Sequence, residues 1–304
     1  MHIHRIALIT TVAASSLLAV SAGAATSTDY YGADKSGNLV RVAISGDKAG
    51  PPDVVRKGNP ESAQTSPAGS DGGVIVGLVA DINAGTTTLF TFDTATQQFH
   101  DLSALGTHIG AATIYDGGDR IAYSRALKHR YVIRSAPATG GTPTRLFSSK
   151  SWQPWDVAVS ENGKRVYFSA RQAVSFAGQP DSDTHRSNVF RVTATGKKRL
   201  ERTVADPLAY TQIQLSPAGG KLAVVRQRLT GTSRSRFSVV RLSTGHVRTV
   251  LKSYANSIAG LAWAADGGSL IFRDETSWGR LTLSGQISAI ANTSKVSFPV
   301  LASS

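Results

Sequence analysis

The chain has 304 residues, 41% of them hydrophobic, with 33 Lys and Arg against 20 Asp and Glu, a formal charge of +13 and no cysteine. That hydrophobic content suits a folded globular protein and argues against disorder. The missing cysteine excludes disulfides, thiolate catalysis, cysteine metal sites and a lipid-modified cysteine.

The N-terminus reads as an export signal. His2, His4 and Arg5 form a short basic start, Ile6 to Val20 is predominantly apolar, and Ala22-Gly23-Ala24 supplies the small residues that a signal peptidase accepts. Cleavage is expected between Ala24 and Ala25, with residues 1–24 as signal peptide and 25–304 as a single domain. The apolar run is short for a membrane anchor and diluted by Thr and Ser, and no later segment is apolar enough to span a bilayer. The mature protein is therefore expected to be secreted, periplasmic or wall-associated. A secreted cation meets anionic envelope polymers or lipid surfaces first, so no nucleic-acid partner is expected.

Asn38-Leu39-Val40-Arg41-Val42 is the first clear strand of the mature chain. A unit then recurs five times, each with a Gly-containing turn: Ser70-Asp71-Gly72-Gly73, Asp116-Gly117-Gly118, Glu161-Asn162-Gly163, Pro217-Ala218-Gly219 and Ala265-Asp266-Gly267. A strand follows each turn, centred on Val74–Val76, Ile121–Tyr123, Val166–Phe168, Leu222–Val224 and Leu270–Phe272. A strand also precedes it, clearest at Trp155–Val159, Gln212–Leu215 and Leu261–Trp263. Third strands lie at Leu89–Phe92, Tyr131–Ile133, Val189–Val192, Val239–Leu242 and Arg280–Leu283, and a fourth is evident at Thr144–Phe147. Turn-rich units of roughly 45 to 55 residues are the mark of four-stranded propeller blades.

Two fragments are left over, and they complement each other. Asn38–Val42 matches a third strand, whereas Val296–Leu301 resembles a first strand with nothing after it. The predicted fold is thus an all-β, six-bladed β-propeller of four-stranded antiparallel blades, its ring closed by N- and C-terminal strands sharing one blade. Seven blades is the alternative if the longer stretch between Gly163 and Gly219 hides strands. Pro299 sits awkwardly inside a strand and suits an edge or bulge better.

Ser216-Pro217-Ala218-Gly219-Gly220-Lys221-Leu222-Ala223-Val224 resembles the Ser-Pro-Asp-Gly-Lys-x-Ile-Ala-Phe signature of TolB-like, WD-repeat-like propellers. Glu161–Phe168 and Asp116–Tyr123 are degenerate copies. The resemblance covers nearly the whole mature chain and implies envelope-associated binding of proteins or ligands. TolB proteins carry an additional N-terminal α/β domain for which this chain has no room, so a Tol-system role is not inherited. Propellers host many unrelated functions, and the blade type does not name an activity.

In such a ring the tight Gly turns occupy one face and the longer loops the other. The loop face is expected to carry Arg125, Lys128 and Arg130, then Arg171, His185 and Arg186, and then Arg226, Arg228, Arg234 and Arg236, with Trp152 and Trp155 between blades. Arginine forks bind phosphate and carboxylate bidentately, and tryptophan offers a stacking surface. The bland reading of the same residues is a solvated basic rim, with Trp152 or Trp155 filling the core between blades. Asp181 and Asp183 lack the further ligands of a calcium loop, and the histidines lack zinc-site spacing, so no metal or cofactor is expected. Asp156 and Asp206 read as turn or sheet-edge residues rather than paired catalytic acids. The favoured function is a secreted, monomeric, non-catalytic envelope module binding a protein or an anionic polymer. A propeller hydrolase or lyase acting on an extracellular small molecule or glycan is the alternative.

Overall fold

The computed structural model describes residues 27–58, 63–81, 83–172, 186–200, 204–205, 207–293 and 296–301. The expected signal peptide, its Ala24/Ala25 cleavage site, Asp181, Asp183, His185 and Asp206 lie outside them. Six antiparallel sheets form the ring, and no seventh exists among the described residues.

Blade 1 is assembled from both ends of the domain. Val296–Leu301 is its innermost strand, followed outward by Thr28–Asp34, Leu39–Ser45 and Lys48–Ala49, with Asp53–Arg56 also pairing to the third strand. The closing pair is antiparallel, Tyr30 opposite Leu301 and Asp34 opposite Val296, with a register shift between Tyr31 and Ala33. Thr28–Asp34 supplies a second strand that the sequence pattern had not revealed.

The other blades run in chain order. Blade 2 takes Ala63–Asp71, Val74–Asp81, Thr86–Asp93 and Phe99–Asp101. Blade 3 takes Ile109–Tyr115, Arg120–Leu127, Arg130–Pro137 and Thr144–Ser149. Blade 4 takes Trp152–Val159, Val166–Gln172, Arg186–Thr193 and Gly196–Arg199, with Val204–Ala205 beside the third strand. Blade 5 takes Leu208–Leu215, Lys221–Arg228, Ser235–Arg241 and His246–Tyr254. Blade 6 takes Gly260–Trp263, Ser269–Arg273, Trp278–Thr282 and Ile287–Ile290.

The turn signals fold as their chemistry requires. Gly163 and Gly219 adopt φ of +67° and +66°, where a side chain would be strained, and their N–H groups close the turns onto the carbonyls of Ser160 and Ser216 at 2.7 Å.

Because each sheet buries both faces, the core consists of layers between blades rather than one central mass. Six clusters of buried side chains fill the six interfaces. Blades 2 and 3, for example, share Val76, Leu89, Ile114 and Tyr123, and blades 4 and 5 share Tyr167, Val189, Leu222 and Val240. The closing layer joins Tyr30, Val40 and Val42 of blade 1 to Ile271, Trp278 and Ile290 of blade 6. The Tyr30 and Trp278 rings meet edge-on with centroids 6.1 Å apart. Burying side chains of this size contributes roughly 1.5–3 kcal/mol apiece, so each layer holds its blade pair strongly.

Candidate functional site

Cavities lie against the inner strands toward both faces of the ring. On the turn face a cavity of about 550 Å³ lies among the ends of the inner strands, reached by Asp71, Tyr115, Glu161, Gln214 and Trp263. Here the turns of three blades are tied together. Consecutive N–H groups of the blade 3 turn donate to acids from its neighbours, Gly117 to Glu161 Oε1 at 2.5 Å and Gly118 to Asp71 Oδ2 at 3.3 Å. Burial, reinforced by the adjacent Glu161, pushes the Asp71 carboxyl up to about 6. This pairing of blades 2 and 4 through blade 3 went unnoticed in the sequence, where the two acids look like ordinary turn residues.

At the loop-face mouth a cavity of about 390 Å³ is lined by Trp155, Asp156, Thr211, Gln212 and Gln214. Asp156 accepts from its neighbour Val157 N–H and, across the blade interface, from Ile213 N–H, both at 2.8 Å. Desolvation outweighs these two bonds and pushes its carboxyl up to about 7. Asp156 is therefore a buckle between the inner strands of blades 4 and 5, in line with the sheet-edge role expected of it. Gln212 donates to the Ile258 carbonyl at 3.2 Å, extending the same belt toward blade 6. The Arg171 guanidinium lies 5.5 Å from the Trp155 ring centroid.

The candidate cations divide into groups, and several are not loop residues. The second and third strands continue beyond their hydrophobic centres, carrying Arg125, Arg171, Arg186, Arg226, Arg228 and Arg236 into the sheets. Trp152 and Trp155 likewise belong to the inner strand of blade 4 rather than to an inter-blade loop. Arg125 is already committed, with Nε donating to the Thr107 carbonyl at 3.0 Å and Nη1 to that of Leu105 at 3.2 Å. It pins the connection between blades 2 and 3. Lys128 sits in a two-residue turn closed by the Leu127–Arg130 pair, and both Lys128 and Arg130 are exposed. Half-buried Trp152 packs edge-on against Phe190, centroids 4.9 Å apart, at the margin of the layer between blades 3 and 4. Arg186 lines a separate recess of about 510 Å³ with Arg199, Gln172 and Trp152.

The remaining four arginines are brought together. Arg226, Arg228, Arg234 and Arg236, joined by Lys252 of the fourth strand, line a recess of about 440 Å³ on blade 5, floored by Pro207 and Leu208. Among the described residues no carboxylate lines it. Among the described residues none of these five cations forms an ion pair. Among the described residues the Arg236 side chain makes a single hydrogen bond, from Nη2 to Thr249 Oγ1, and its buried Nε has no partner. A concave cluster of guanidinium forks can hold phosphate, sulfate or carboxylate groups.

No group of three or more His, Asp or Glu side chains among the described residues could hold a metal ion. No helix among them is long and apolar enough to cross a membrane.

No protein-family model matches the chain, and no curated protein sequence does. Solved structures do. TolB from Acinetobacter baumannii matches with a TM-score of 0.64 at 14% identity, over 91% of this chain and 66% of its own. A chain of a nidogen/laminin complex matches at 0.61 and 11% identity, over 91% and 99%. The periplasmic gluconolactonase PpgL of Pseudomonas aeruginosa matches at 0.55 and 10% identity, again over 91% and 99%. This chain thus spans just under two thirds of that TolB and nearly all of the other two matched chains. The likeness is one of fold: a six-bladed propeller like that of TolB, on which both binding proteins and enzymes are built.

Proposed function

We propose that this protein is an exported binding module of the cell envelope, holding an anionic partner on the loop face of a basic propeller. One observation carries the reading: five cations converge on a concave recess of blade 5 without a carboxylate among its described lining residues. Self-repulsion makes such a cluster unfavourable in isolation, and an anion offsets it. The net charge of the chain from residue 25, +12 once Arg5 is removed from the +13 of the full sequence, acts in the same sense at long range, steering the protein toward negatively charged surfaces. Residues 1–24 deliver it to where those surfaces are.

The test is binding of protein starting at residue 25 to isolated envelope fractions across a salt series, beside a variant with Arg226, Arg228, Arg234 and Arg236 replaced by Ala. Binding that weakens with salt, and at least tenfold with the replacements, supports the proposal. Binding indifferent to both, or no binding at all, overturns it.

A hydrolase reading draws on Asp156, whose carboxyl titrates near neutrality at the channel mouth. Both of its oxygens already accept main-chain N–H groups, which argues for a structural buckle. Loss of a lactone- or ester-cleaving activity in Asp156→Asn would favour the enzyme.

A further inference from the structure

The four arginines of blade 5 are not a random accumulation. Lys221–Arg228 and Ser235–Arg241 form a hairpin in which Arg226 stands directly opposite Arg236. One step nearer the loop, the Arg228 N–H donates to the Arg234 carbonyl at 2.9 Å, so these two face each other as well. Side chains two apart on a strand project from the same face. The hairpin face that buries Leu222, Val224 and Val240 against blade 4 therefore continues outward as two stacked arginine pairs. Lys252, from the next strand, flanks them.

Like charges directly opposite on neighbouring strands destabilise a sheet. Here the arrangement occurs twice in succession, and none of the four guanidinium groups is neutralised by an acid among the described residues. A pattern that costs stability in the empty protein points to a ligand that removes the cost.

The geometry narrows the ligand. A carboxylate has two coplanar oxygens, and a single guanidinium fork uses both. A group that offers oxygens in more than one direction, as tetrahedral phosphate does, suits donors arriving from both strands of the pair better than a planar carboxylate. The pairs are two residues of rise apart, roughly 7 Å, a step that consecutive phosphates of an extended phosphodiester chain can match. Among the described residues no aromatic side chain lines the recess to stack on a base or a sugar. We infer that the blade 5 hairpin is a paired-phosphate subsite, seating two successive phosphate groups of a phosphodiester polymer in the Arg226/Arg236 and Arg228/Arg234 clasps. This inference rests on the anion-binding reading above and specifies its chemistry.

Tripolyphosphate serves as the paired-phosphate probe and citrate as the carboxylate control, with thermal denaturation and calorimetry on the protein from residue 25. Tripolyphosphate should raise the melting temperature and bind at least tenfold more tightly than citrate at equal ionic strength. Arg226→Gln combined with Arg236→Gln should abolish that preference and, without anion, melt at or above the parent protein, because the repulsion is gone. Arg228→Gln with Arg234→Gln at the outer end of the hairpin should weaken tripolyphosphate tenfold and provides a second readout if the first variant misfolds. Replacing Arg226 and Arg236 by Lys keeps charge but removes the forks, and should lose most of the preference.

Equal binding of citrate, or tripolyphosphate binding untouched by both double variants, would overturn the subsite while leaving envelope binding intact. Envelope binding that fails in the earlier test removes the parent reading instead. Phosphatidylglycerol vesicles distinguish a lipid source of phosphate: vesicle binding that tripolyphosphate cannot displace would overturn the polymer assignment.

Discussion

The indole N–H of Trp278 donates to the carbonyl of Val296 at 2.8 Å, both residues fully buried. One belongs to blade 6, the other to the strand that completes blade 1. The ring is therefore sealed by a side chain as well as by strand pairing. Thr293 secures the approach, its hydroxyl accepting the Trp278 N–H and donating to the Ile290 carbonyl, each at 2.8 Å.

Trp278→Phe keeps an aromatic ring in the closing layer but leaves the Val296 carbonyl without its buried donor. The expected cost is about 2 kcal/mol, corresponding to a fall in melting temperature on the order of 5 °C for a domain of this size. Deleting residues 294–304 removes the whole closing strand and exposes the edge of Thr28–Asp34, so it should melt far lower and aggregate. Calorimetry and light scattering check both, and a truncated protein that melts like the intact one would refute the shared-blade closure.

Asp156 sets a pH dependence whose sign is opposite to that of an ordinary salt-bridged acid. Burial holds its carboxyl at about 7 in the folded protein against the ordinary aspartate value of 3.8. Between these values the folded chain keeps the proton that the unfolded chain has released, so stability is greatest below the lower value and declines as pH rises through the upper one. The loss is on the order of 4 kcal/mol. Asp71, raised to about 6, adds to the decline over the lower part of this window. Melting temperatures from pH 4 to 8 should fall, and Asp156→Asn should flatten the curve most clearly above pH 6. An unchanged slope in that variant would show that Asp156 does not titrate there.

Gly279 is held to glycine by contact. A Cβ on it would come within 2.5 Å of the Phe272 ring, which is fixed between Phe237 and Tyr254 with centroids 5.3 and 5.2 Å away. Gly279→Ala should overpack the layer between blades 5 and 6 and cost about 1–3 kcal/mol in chemical denaturation. Gly220→Ala, where no atom lies within 4 Å, is the matched control and should change stability by less than about 0.5 kcal/mol.

Hydrophobic triplets and Gly turns made the blade count and ring closure legible, because both depend on local pattern. The inner strand of blade 2 escaped notice: Ala63–Asp71 carries Pro67, and its pairing shifts register between Pro67 and Gly69, which breaks the alternation that marks a strand. Thr28–Asp34 escaped too, since its apolar content is concentrated in Tyr30, Tyr31 and Ala33. At the rim the error ran the other way. Arg226 and Arg228 look like loop because they are charged, yet they extend a strand whose inner half is buried. Recognising Arg226 and Arg236 as a facing pair required the register of the hairpin, and joining Asp71 to Glu161 required the curvature of the ring. Neither is written in local sequence.

The closing pair has a mechanical consequence. Tyr30 lies opposite Leu301, so the two ends of the domain leave blade 1 side by side at the same end of an antiparallel pair. A pull applied between them would load the ladder one rung at a time, as a zip is opened, rather than shearing all rungs together. Strung by both ends between two anchors, this ring would part first at its own seam, while the layers between the other blades stayed shut.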